Sequence, residues 1–294
     1  AQGFTHAQDR FFEMDYRRHV TSGRLSELVG FNQDALDADH VIRTFGWRNV
    51  AEQELSILAP ETREYLEAYA DGVNAYLATR SAQGLGIEYT VLGLQVDVAE
   101  PEPWDPVDSL AWLKAMAWDL RGNFDEEFSR AALYAALRDV DRVNELFPPY
   151  PETVNTPIVT PAELASATKE GADDGAPGGE SDTDAEPVVG GSVDAILGSS
   201  ALDRALEAAQ RALDAVPELL GNGEGVGSNS WVVAGEHTAS GLPLLANDPH
   251  LGISAPGIWS QQSSRCATVG PQCPFDVSGF TFAGLPGVII GHNA

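Results

Sequence analysis

The spacing of apolar residues changes once along this chain, at a glycine-rich run that ends in Gly227-Ser228. That change restricts the fold to helices first and strands after. Before the run, the apolar step is three or four. Phe4, Ala7, Phe11 and Met14 line one helical face, and Leu66, Tyr69, Val73 and Tyr76 line another behind the acidic start Pro60-Glu61. Asp105-Pro106 supplies a cap and a first-turn proline for a third helix running through Trp112 and Met116. Leu202, Leu206, Leu213 and Val216 mark a fourth, with Ser200 available as its cap. After the run the step is two. Ser230 to Ala234 and Leu242 to Ala246 read as strands, separated by turn residues Glu236 to Gly241. Pro243 places the second strand near an edge or at its own start. An antiparallel hairpin is expected, in a chain of the α+β class.

Composition divides the chain further. Residues 171–192 hold Gly, Ser, Asp, Glu and Pro with almost no large apolar residues. Such a stretch buries too little surface to offset the entropy of ordering and is expected to be disordered or a linker. Three regions follow: a helical region 1–165, an acidic linker or spacer 166–227, and a region 228–294 that opens with the hairpin. The chain opens inside an apparent helix and stops at Gly291-His292-Asn293-Ala294, straight after the apolar run Val288-Ile289-Ile290, so it reads as part of a longer precursor.

The charge is extreme: 17 Lys and Arg stand against 44 Asp and Glu, a formal net charge of −27. Such a field repels nucleic acid and anionic lipid. Only Lys114 and Lys169 are lysines, and abundant carboxylates with so little lysine suit solubility in concentrated salt, so a halophilic source is expected. No segment reaches the length of a membrane span, and no signal peptide is visible. Cys266 and Cys273 lie close enough in sequence to bridge in an oxidising compartment, and two free thiols are the alternative. Two cysteines with no histidine at ligand spacing do not make a zinc site.

The hairpin is the candidate place for chemistry, with a flexible glycine-serine junction and an exposed Asp-Pro-His turn as the alternative. If its turn centres between residues 238 and 239, Ser228 lies opposite Pro249 and beside His250. A serine hydroxyl is a weak nucleophile until a base takes its proton. Cutting the bond between Gly227 and Ser228 would give Ser228 a free α-amine, which titrates at about 7.7–8.0 and can serve as that base. The preceding glycines let the backbone adopt conformations in which Ser228 can attack its own preceding carbonyl.

Residues Gly227-Ser228-Asn229-Ser230-Trp231-Val232-Val233, continuing to Asn247-Asp248-Pro249-His250-Leu251, closely resemble the mature β-subunit start of the penicillin acylase family. The block Gly3-Phe4-Thr5-His6-Ala7-Gln8-Asp9-Arg10-Phe11-Phe12-Glu13-Met14-Asp15 resembles the family's α-subunit opening, and Phe280 to Gly287 with Gly291-His292-Asn293 resembles its β-chain core block. The resemblance implies an N-terminal-nucleophile hydrolase with an αββα sandwich, incomplete here, which cuts itself into α and β subunits and hydrolyses a small acyl amide. It implies Ser228 as nucleophile and the Gly227–Ser228 bond as the cleavage junction. His250 falls where penicillin G acylases carry glutamine, and cephalosporin and acyl-homoserine-lactone acylases resemble this chain in having histidine there. That histidine helps orient the serine and its amine, and it favours a linear or glutaryl-type acyl group over phenylacetyl. Phe124 sits near the family's acyl-pocket aromatic, with plain helix packing as the alternative. Glu127 resembles a glutamate that helps hold a structural calcium, with a solvated acidic face as the alternative. No cofactor is implied for catalysis. Both oxyanion-hole donors are implied to lie beyond residue 294, so the 294 residues alone are expected to be inactive. An extracellular or cell-surface location is expected. The competing reading is an uncleaved, catalytically silent relative acting as a surface binding protein.

Overall fold

A computed structural model describes residues 1–121, 124–148, 151, 154–155, 200–220, 227–271 and 273–293. The linker expected at 171–192 and the glycine-rich stretch 221–226 lie outside the described residues. The chain divides into two compact units, one of Ala1–Arg121 with Ala209–Ala294 and one of Gly122–Ala208. The first unit therefore draws on both sides of the Gly227–Ser228 bond.

The expected helices form. They are α1 (Gln2–Thr21), α5 (Pro60–Leu77), α8 (Pro106–Asp119) and α11 (Ser200–Asp214). The structure adds α2 (Leu25–Val29), α3 (Gln33–Phe45), α4 (Trp47–Ile57), α6 (Ala82–Leu85), α7 (Ile87–Leu92), α9 (Phe124–Leu137) and α10 (Val140–Leu146). Asp105 caps α8 as its sequence suggests, accepting from Val107 N–H at 2.8 Å, while Asp108 reaches back to Asp105 N–H at 2.9 Å. The strands are β1 (Gly227–Val233), β2 (Leu244–His250), β3 (Trp259–Arg265), β4 (Asp276–Phe282) and β5 (Ile290–Asn293). They form two antiparallel sheets, β1-β2 and β3-β4-β5. The α+β class holds.

Helix α1 organises the first unit. Its Ala7, Phe11 and Met14 pack with Tyr69 and Val73 of α5, with Tyr89 and Trp104, and with Ala283 from the far side of the junction. Gly3 and Gly72 let α1 and α5 approach closely: a Cβ on Gly3 would be driven into the Tyr69 carbonyl oxygen, and one on Gly72 would press on Phe4 N. A second cluster joins Trp112 of α8 to Ile42, Trp47, Leu220, Phe282 and Leu285.

The buried polar groups of α1 are partnered. Asp15 accepts from Arg18 at 2.5 Å and from the Tyr89 hydroxyl at 2.6 Å. Burial pushes its carboxyl up, but His19, Arg18 and Tyr89 outweigh that and hold it at about 2. The Arg17 guanidinium lies over the Trp112 ring at 4.4 Å and donates to the Ala283 carbonyl at 3.3 Å. His6, 1% exposed, sits in a hydrogen-bond chain whose direction can be assigned. Thr281 Oγ1 donates to the Ser260 carbonyl, so it accepts from His6 Nε2–H at 2.9 Å. His6 Nδ1 is then bare and accepts from the Tyr69 hydroxyl at 2.7 Å, and Tyr69 Oη in turn accepts from Gly284 N–H at 2.9 Å. Burial, aided by the Arg10 charge, lowers the His6 pKa from 6.5 to about 4.

Two outcomes are expected. Gly3→Ala should lower stability by about 1–3 kcal/mol through overpacking at the α1–α5 crossing. Gly84→Ala in α6, whose Cβ would meet only ordinary contacts starting at 3.6 Å, should be near neutral. Melting temperatures of the two variants make the comparison, and equal values would contradict the crossing argument. The second outcome concerns pH. Because His6 binds its proton less well folded than unfolded, its contribution is fully present above pH 6.5 and is lost as pH falls from 6.5 towards 4. The loss should amount to about 3 kcal/mol. Denaturant unfolding across that window checks it, and a flat profile would show that His6 titrates alike in both states.

Candidate functional site

The ribbon β1-β2 forms from the period-two segments, but both strands run further than their apolar cores. β1 begins at Gly227, the first residue of the expected junction, and β2 continues through His250. The connection contains a 3-10 turn at Gly235–His237, a Thr238 hydroxyl bonded to the Leu242 carbonyl at 2.8 Å, and Gly241 at φ +71°. Pro243 stands immediately before β2, where it removes no ladder donor.

The pairing register sets Ser228 opposite Pro249, as the spacing predicts, and Gly227 opposite His250. Paired residues share a face of the ribbon and successive residues alternate. Ser228 and Pro249 therefore lie on one face. Gly227, Asn229, Asp248 and His250 lie on the other. His250 Nε2 lies 3.1 Å from Asp248 Oδ2 on that same face. So His250 is level with the junction peptide, while its ring lies across the pleat from the Ser228 hydroxyl. The expectation that the ring sits beside the serine holds for the backbone; the pleat decides where the ring points. Ser228 is exposed, as are Trp231, Val232 and Leu245 along the ribbon.

Gly227, Ser228 and His250 are thus brought together. Phe124 and Glu127 belong to the other compact unit. Phe124 opens α9 and is 39% exposed. The Glu127 carboxylate is exposed and pairs with Arg130 at 3.6 Å. Among the described residues no group of three or more His, Cys, Asp or Glu converges as a cation site. Cys266 and Cys273 are joined as a disulfide, with Cα atoms 5.9 Å apart, which decides between the two thiol alternatives. Asp248 was missed by sequence reasoning. Its signal, an acidic residue two before a histidine on a strand, becomes legible only once β2 is known to extend that far.

Comparison with known proteins places these features in context. The sequence model described as Penicillin amidase matches residues 1–294. The chain is 33% identical to the Penicillin acylase 2 proenzyme of Pseudomonas sp. (strain SE83), over 98% of this chain and 31% of that protein. It is 31% identical to the Acyl-homoserine lactone acylase QuiP of Pseudomonas aeruginosa, over 100% of this chain and 29% of that protein. Among solved structures it resembles the thermostable Penicillin G acylase from Alcaligenes faecalis, with a TM-score of 0.44 and 25% identity, covering 54% of this chain and 85% of that one. The chain spans about a third of the length of these first two relatives.

Proposed function

This chain belongs to the penicillin amidase family, and from that premise we propose that it is part of an amidohydrolase precursor that cuts itself between Gly227 and Ser228. The observation that carries the reading is the register of the ribbon, which sets the glycine-serine peptide level with Pro249-His250. In the first step the Ser228 hydroxyl attacks the Gly227 carbonyl and the peptide nitrogen leaves as the Ser228 amine. Water then hydrolyses the resulting ester, freeing Gly227 as a carboxylate. The mature site acts on an acyl amide in the same manner. The α-amine takes the Oγ proton, Oγ adds to the amide carbonyl, the amine product leaves with a proton, and water releases the acid from the acyl-serine.

His250 orients the α-amine in this reading. It stands level with the Ser228 nitrogen and on the face opposite the hydroxyl, with Asp248 against its ring. Histidine at this position points to a linear or glutaryl-type acyl group, and the relatives named for penicillin and for acyl-homoserine lactone keep both amine classes in view.

The halves stay together as a heterodimer after the cut. His6 with Thr281, Tyr69 with Gly284, Arg17 with Ala283, and Gln2 with Gly287 all join residues from opposite sides of the junction. The Cys266–Cys273 disulfide lies wholly on the later side and does not link the two. That disulfide suits an oxidising compartment, in keeping with an extracellular or cell-surface enzyme.

In the full-length protein, Ser228→Ala should leave a single uncut band and no amide hydrolysis. The wild type should yield a chain whose N-terminal sequence begins Ser-Asn-Ser. An intact wild-type chain would return the silent binding relative; an active β chain starting elsewhere would move the nucleophile. His250→Ala should lower kcat by about 10²–10⁴-fold with the melting temperature retained, as for loss of a positioned acid–base or orienting group. His250→Gln should be milder, since a glutamine amide can also hold an amine. An unchanged kcat in His250→Ala would remove it from the mechanism.

A further inference from the structure

Asp248 and His250 stand two residues apart on one face of β2, with His250 Nε2 3.1 Å from Asp248 Oδ2. An ionised carboxylate only accepts hydrogen bonds. Nε2 therefore carries a proton, and in a neutral imidazole Nδ1 is then left bare, as an acceptor. Among the described residues Asp248 alone bonds the ring.

The contact also aims the ring. Gly227 lies across from His250, and Asn229 lies across from Asp248. A ring that leans from position 250 towards position 248 runs alongside the stretch from Gly227 to Asn229. The Ser228 nitrogen is in that stretch, and the Ser228 side chain leaves by the opposite face.

Resting on the cleavage reading above, we propose that Asp248 is a positioning residue that fixes the His250 tautomer. The bare Nδ1 accepts one N–H of the Ser228 α-amine, and the amine keeps its lone pair for the Oγ proton. A tetrahedral amine that turns one N–H to the imidazole face has its lone pair free for the other face, where Oγ lies. The opposite tautomer reverses the bond. Its Nδ1–H would donate into the amine lone pair and occupy the electrons that take the Oγ proton. With the carboxylate gone, no other described group bonds Nε2 to choose between the two tautomers. Asp248 neither gives nor takes a proton in this scheme; it holds the Nε2 proton in place throughout.

The test compares kcat and KM for the matured full-length enzyme and its variants, with matured chain counted from its gel band. Asp248→Asn keeps the size, but its amide both donates and accepts, so it satisfies either tautomer. It should lower kcat by about 10–100-fold and leave KM and the melting temperature in place. A buried carboxylate that fixes a catalytic tautomer is worth up to about 10⁴-fold; this pair is exposed, so the effect is smaller. Asp248→Glu keeps an acceptor-only carboxylate and should recover much of the loss. In a His250→Gln background, Asp248→Asn should cost nothing further, because a glutamine amide has no tautomer to fix. Wild-type kcat in Asp248→Asn would overturn the tautomer assignment. An equal fall in the His250→Gln background would overturn it as well, since Asp248 would then act on substrate or fold directly. So would an Asp248→Asn precursor that stays uncut, because the amine does not exist before the cut. A wild-type precursor never cut at Ser228, or a His250→Ala enzyme with unchanged kcat, would overturn the reading beneath the assignment and the assignment with it.

Discussion

His6 on α1, Tyr69 on α5 and Thr281 on β4 share two hydrogen bonds in a place almost closed to water. Each of these groups would be costly to bury alone. Together they form a chain that begins at the Gly284 amide and ends at the Ser260 carbonyl, and every proton in it has one assigned place. That requirement couples the crossing angle of two helices to the register of a sheet that follows them by some two hundred residues. A shift of either helix along the other would strand a buried donor or acceptor.

The same requirement ties the residues before Gly227 to those after Ser228, in the manner the proposed cleavage needs. The compact unit that holds Gly227 and Ser228 is built from Ala1–Arg121 and Ala209–Ala294, so it draws on both sides of that peptide. Phe282 meets the Trp112 ring edge to face across that divide, and Ala283 enters the cluster around Phe11 and Tyr89. Apolar burial supplies most of the attraction, while the buried polar contacts define one fit between the two sides.

The pleat of a two-stranded ribbon makes a sharper mechanistic distinction than proximity does. Placing His250 opposite Gly227 sets it level with the nitrogen that cleavage would free, and on the far face from the hydroxyl. Asp248, two residues earlier on the same strand, faces the same way and meets the imidazole. A one-residue slip would turn His250 onto the serine's face and Asp248 with it. The turn chemistry at Thr238 and Gly241 that fixes the loop length is therefore part of how the site is aimed.

The order of helices and strands, the cap at Asp105 and the pairing of Ser228 with Pro249 were all determined by the sequence itself, because each follows from local periodicity, turn chemistry and chain length. The family resemblance around Gly227-Ser228 was legible for the same reason: its signal lies in contiguous residues. The tertiary structure alone decided the rest. His6 reads in the sequence as one polar position in a helix, and only packing against Tyr69 and Thr281 makes it a buried neutral imidazole. Asp119 reads as the last acid of a helix, and only the return of the chain at Leu219 and Leu220 gives its carboxylate two amides to hold. Cys266 and Cys273 were compatible with a bridge or with free thiols until the fold set their backbones 5.9 Å apart. Periodicity records which side of an element is apolar; the partner of a buried polar group comes from elsewhere in the chain, and no local pattern encodes the distance that brings it there.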